Sequence, residues 1–69
     1  MTEATAETIA EELRDKSGVT HVREVNENVV SFRIKEGHKI DMPEYEYWYV
    51  TDIDYHSNIP VQVSMVQIK

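Results

Sequence analysis

The apolar residues of this chain change their period once, near residue 18. Before it, Ala6, Ile9, Ala10 and Leu13 recur at helical spacing and form a narrow, one-sided stripe. The spacing predicts a helix over about residues 3–16. Ala4, Ala6, Glu7, Ala10, Glu11, Glu12 and Leu13 are good helix formers. Thr2 or Thr5 can cap its start, and the early glutamates suit the positive end of the helix dipole. Arg14 and Lys16 suit the negative end, and Gly18 stands where a C-cap is natural. A stripe this shallow covers another layer and is no core by itself.

After Gly18 the period becomes two. The runs VTHVREV and VVSFRIK flank Asn26-Glu27-Asn28, and asparagine tolerates the left-handed conformations of tight hairpins. They predict strands over about 19–25 and 29–35. In the second, Val30, Phe32 and Ile34 share one face and Ser31, Arg33 and Lys35 the other. Val22 and Val25 have opposite parity in the first, which a bulge would reconcile. Glu36-Gly37-His38-Lys39 reads as a turn, and Pro43 restricts where a third strand, about 44–54, begins. A polar turn at His56-Ser57-Asn58 precedes a fourth, about 60–68. That strand alternates through Val61, Val63 and Met65, then shifts phase to Val66 and Ile68. The pattern predicts a two-layer α+β fold: one N-terminal helix packed on a four-stranded antiparallel meander, a single domain over residues 1–69.

Size limits what such a domain can do. At 69 residues its core is modest, and without cysteine neither disulfides nor thiolate metal sites support it. The N-terminus lacks a basic region, and no apolar run reaches signal-peptide or membrane-span length. A soluble, cytoplasmic protein is the expectation. The net charge of −6, from 13 acids and 7 bases, disfavours direct binding to nucleic acid or anionic membrane. The charge is also blocked: residues 1–13 and 40–68 hold acids but no Lys or Arg, and 14–39 hold six of the seven bases.

The densest chemistry lies in MPEYEYWYVTDIDYH, residues 42–56. Strand parity puts Tyr45, Tyr47, Tyr49 and Tyr55 on one face, expected to meet the helix, and Glu44, Glu46, Trp48, Val50, Asp52, Asp54 and His56 on the other. An apolar centre at Trp48 and Val50 inside an acidic rim is the anatomy of a protein interface. If the parity fails, Trp48 is instead a core residue. Exposed tyrosines would offer an aromatic platform to a small ligand, but the local acidity argues against nucleic acid. Asp52, Asp54 and His56 are spread too far along an extended strand for a zinc site. No metal or cofactor is expected.

Catalysis has no visible basis. There is no cysteine nucleophile, no serine in a nucleophile elbow, and only Gly18 and Gly37 to form loops. Arg23, Arg33, Lys35 and Lys39 fall near the outer face of the first hairpin. There they can pair with the acidic row across the sheet, which is the favoured option, or with the acids of a second copy.

The sequence therefore points to a small acidic interaction protein, not an enzyme, that occludes a protein partner with a basic surface. The partner-facing residues would be Glu44, Glu46, Trp48, Val50, Asp52 and Asp54. Compact, acidic, cysteine-free proteins of this kind are typical of phage or mobile-element inhibitors of host nucleic-acid-handling or defence machinery. The alternative is a homo-oligomeric structural or small-ligand module. In it Val66 and Ile68 on the C-terminal strand would continue the sheet into a homodimer.

Overall fold

A computed structural model describes residues 4–68. One helix, α1 (Ala6–Arg14), precedes four strands: β1 (Val19–Asn26), β2 (Val29–Ile34), β3 (Trp48–His56) and β4 (Ile59–Gln67). The strands form one antiparallel sheet in the order β1-β2-β4-β3, and the helix lies on one face. This is the two-layer α+β fold that the periodicity predicts.

The helix is shorter than its composition suggests. Thr5 caps it: its Oγ1 accepts a hydrogen bond from the Thr8 amide at 3.2 Å. Residue 3, where the expected helix starts, and Thr2, the other expected cap, lie outside the described residues. The C-cap is Asp15, not Gly18. Gly18 turns the chain into β1 with φ of +86°, and a Cβ there would stand 3.1 Å from His38 Cβ. All four stripe residues, Ala6, Ile9, Ala10 and Leu13, are buried.

The two hairpins turn by different means. In β1–β2, the Asn26 side chain accepts from the Asn28 amide at 2.8 Å, and neither asparagine takes a positive φ. In β3–β4, Ser57 and Asn58 have φ of 52° and 67°, and His56 faces Ile59. Two left-handed residues in a two-residue loop make a type I′ turn, whose twist matches the strands. Asparagine adopts this conformation readily; serine does so at a cost of about 1–2 kcal/mol. Ser57→Gly is therefore expected to stabilise the protein by about 0.5–1 kcal/mol, after allowing for the freer unfolded chain. A urea midpoint that rises at unchanged slope would show it; a lowered midpoint would place no strain at Ser57.

Residues 35–47 link the hairpins and decide the sheet order. The second hairpin docks by its return strand, so β4 lies between β2 and β3 and β3 takes an edge. Side-chain chemistry explains the choice. On β4, Val63 and Met65 are fully buried against Phe32 and Val30 of β2. On β3, charged Asp52 and Asp54 suit an edge that must resist further pairing.

The core lies between the layers. Ile9 and Leu13 of the helix meet Val30, Phe32, Val63, Met65 and Trp48, with Ile40, Met42 and Tyr45 of the link packed against them. The link thus extends the helical layer.

Candidate functional site

The start of β3 determines what the protein shows to a partner. Residues 44–47 are not part of the strand: Glu46 and Tyr47 form a turn between Tyr45 and Trp48, which pair as an isolated bridge. Tyr47 has φ of 67°, the Trp48 amide donates to the Tyr45 carbonyl at 3.1 Å, and the Ile68 amide donates to the Tyr47 carbonyl at 2.8 Å. This turn interrupts the alternation from Glu44. Trp48 consequently enters the core, 4% exposed, with its indole Nε1 donating to the Ala4 carbonyl at 2.9 Å. Trp48 is thus no exposed centre of an acidic face, and the parity-based assignment is corrected. The tyrosines are displaced with it. Tyr45 is half-buried beside the helix, whereas Tyr47, Tyr49 and Tyr55 are 44, 53 and 61% exposed.

A second slip follows within the strand. Val50 faces Met65 and Asp52 faces Ser64, which leaves Thr51 without an opposite residue. The bulge carries Asp52 and Asp54 to the outer face, opposite Ser64 and Gln62, while Ile53 faces Val63 of the core. Val50 remains beside Trp48's side of the sheet at the open edge, 36% exposed.

The expected single acidic row is therefore two separate features. Asp52 and Asp54 belong to the outer sheet face. Glu44 and Glu46 belong to the link, exposed on either side of Tyr45. Tyr45 brings that link beside Glu12 of the helix. Partial burial and the neighbouring Glu12 carboxylate together push the Tyr45 hydroxyl pKa up to about 12. Glu7, Glu11 and Glu12 of the helix are all exposed. The cleft between the helix start and the β1–β2 turn, about 420 Å³, adds Glu24 and Glu27. The helical layer is thus acidic on balance, with exposed glutamates from the helix and the link, and further ones at the neighbouring β1–β2 turn. The helical glutamates were legible as positions off the apolar stripe. The approach of Tyr45, between Glu44 and Glu46, to Glu12 depends on the path of the link.

The bases are divided, with Arg14 in the last turn of the helix and Lys35 and Lys39 in the link. Arg23 and Arg33 lie on the outer face: Arg23 faces Ser31, and Arg33 lies between Thr20 and Gln62. Asp54 follows beyond Gln62, two strand spacings or roughly 10 Å from Arg33. The register therefore does not place the basic and acidic side chains opposite one another within the sheet, contrary to the favoured pairing. Lys35 lines a second cleft, about 410 Å³, with Arg33, His56 and Ile59 at the other end of the sheet.

The C-terminal strand cannot extend the sheet into another copy, because β2 and β3 occupy both of its sides. Val66 lies on the outer face between Val29 and Tyr49. Ile68 follows the end of β4, 56% exposed, with its amide used by Tyr47. The edges are β1 and β3 instead. β1 bulges between Thr20 and Arg23 and again between Glu24 and Asn26.

Among the described residues no group of three or more His, Asp or Glu is arranged to hold a metal ion. No described helix is long and apolar enough to cross a membrane. No protein-family model matches the chain, and no curated protein or solved structure shows significant similarity to it.

Proposed function

We propose that this protein is a non-catalytic binding module whose acidic helical layer seats on, and occludes, the basic surface of a partner protein. The observation that carries the reading is the junction at Tyr45. Tyr45, between exposed Glu44 and Glu46, lies beside Glu12 of the helix, although more than thirty positions of sequence separate them. Exposed Tyr47 adds an aromatic side chain of the kind enriched at interfaces. A groove built for nucleic acid has the complementary chemistry, since it already attracts closely spaced negative charge. An inhibitor that blocks such a groove fits this surface, and the chain needs no chemistry of its own to act so.

Long-range attraction between such surfaces speeds encounter and weakens with salt. The test is Glu11→Lys/Glu44→Lys/Glu46→Lys, three exposed positions away from the core. Tagged wild-type protein should recover a partner from lysate at low salt and release it at high salt. The triple variant, with an unchanged circular dichroism spectrum, should bind the recovered partner at least about tenfold more weakly. Equal binding by both proteins would remove this surface from the reading.

A further inference from the structure

The helix and link cover one face of the sheet, and the other face is open. Its composition follows from the register. The Val30, Phe32, Val63 and Met65 side chains point into the core, so their strand neighbours point outward. Across the four strands, the outward residues fall into three rows. One runs Asn26, Val29, Val66, Tyr49; the next runs Arg23, Ser31, Ser64, Asp52; the third runs Thr20, Arg33, Gln62, Asp54. Arginines occupy the β1–β2 half and aspartates the β3 edge, with uncharged side chains between them. The face is an electrical dipole laid across the strands.

Such a face is complementary to itself in one arrangement. A two-fold axis in the plane of the face and parallel to the strands turns the sheet over and exchanges its sides. β1 of one copy then lies over β3 of the other, and β2 over β4. Arg23 comes over Asp52, and Arg33 over Gln62 next to Asp54. In the first row Val29 meets Val66, giving a short apolar strip beneath the charges. A two-fold axis running across the strands does the opposite: it sets β1 over β1 and brings the arginines together, which charge repulsion disfavours.

Edge-to-edge association lacks this support. β1 bulges twice, and β3 bulges at Thr51 and carries two aspartates, both of them devices that keep sheet edges from pairing.

We propose that the outer sheet face binds the same face of a second copy about a two-fold axis parallel to the strands, setting Arg23 and Arg33 of each copy against Asp52 and Asp54 of the other. The twist of each sheet offsets the strand directions by about 30° in this aligned packing. Four strands by three rows is a smaller contact than the roughly 800 Å² per partner of a standard interface. The dimer is therefore weak, forming in the micromolar range or above. It leaves the acidic helical layer pointing outward on both sides, so the inference does not depend on the partner reading above. Two outward acidic layers would let one dimer engage two basic surfaces.

Sedimentation velocity over a concentration series tests it on the full chain. The wild type should pass from monomer to dimer with concentration at low salt. In about 1 M salt, where screening acts within about 3 Å, it should remain monomeric. Arg23→Glu/Arg33→Glu and Asp52→Lys/Asp54→Lys should each weaken the dimer by more than about tenfold. All four substitutions in one chain exchange the two poles and should restore it. Circular dichroism confirms that each variant is folded, and these exposed positions leave the core untouched. Glu11→Lys/Glu44→Lys/Glu46→Lys should dimerise as the wild type does, which separates this surface from the partner surface. A wild type that stays monomeric throughout, or a dimer indifferent to both pairs of reversals, overturns the proposal. A four-fold variant that stays monomeric overturns the two-fold arrangement.

Discussion

Trp48→Ala is expected to leave the protein largely unfolded at room temperature. The indole is 4% exposed in a core that includes few other large side chains. Truncating a buried tryptophan to alanine costs about 3–5 kcal/mol, from lost transfer free energy and the cavity left behind. The Ala4 carbonyl also loses its 2.9 Å hydrogen bond from the indole, at about 1 kcal/mol more. At roughly 0.05–0.15 kcal/mol per residue, a domain of this length has only about 3–10 kcal/mol in total. The loss therefore takes most or all of its stability. Urea denaturation followed by circular dichroism measures it. Tyr55→Ala is the control within the same strand: at 61% exposure it should change stability by no more than about 0.5 kcal/mol. A Trp48→Ala protein as stable as Tyr55→Ala would mean that Trp48 faces solvent, as simple alternation from Glu44 implies.

Phe32→Ala is expected to cost a similar 3–5 kcal/mol, for a different structural reason. Trp48 closes the core where the link enters β3. Phe32, fully buried, stands at its middle, opposite Val63 on β4 and in one cluster with Ile9 and Leu13 of the helix. It joins the first hairpin, the second hairpin and the helix in a single contact region. The helix has nine residues and is too short to persist without that packing. Loss of Phe32 should therefore weaken both layers together. Trp48 fluorescence reports on the link and circular dichroism on helix and sheet. The two probes should give one coincident urea transition, shifted to a lower midpoint. Two separate transitions would show that the hairpins hold their structure independently of Phe32.

The contrast between Trp48 and its tyrosine neighbours shows where sequence reading succeeds and fails in this chain. β2 alternates cleanly, and Val30, Phe32 and Ile34 are buried as its pattern requires. The helical stripe is likewise buried in full. Between Glu44 and His56 the same rule gives the wrong face for Trp48, because it assumes an unbroken strand. A positive φ at Tyr47 and the bulge at Thr51 each interrupt the count, and a slip of one residue exchanges the two faces. Neither interruption has a local mark: Tyr47 is neither glycine nor asparagine, and Thr51 is an ordinary strand residue. In β1, by contrast, the opposed parity of Val22 and Val25 signalled an irregularity, and the strand does bulge.

The acidic surface divides in the same way. That the chain is acidic, and that Glu7, Glu11 and Glu12 avoid the helix's apolar stripe, is plain from residue order. That Tyr45 brings the Glu44–Glu46 stretch to Glu12, while Asp52 and Asp54 face outward from the sheet, is not. The sequence by itself determined the helix, the four strands, the antiparallel two-layer arrangement and the buried faces of α1, β2 and β4. Each of these rests on period and turn chemistry within a few residues. Only the tertiary structure decided that β4 rather than β3 lies beside β2, that Trp48 points inward, and that arginines and aspartates occupy opposite sides of the open face. Those outcomes depend on which long-range packing buries the most apolar surface, and a bulge or one left-handed residue costs little against that gain.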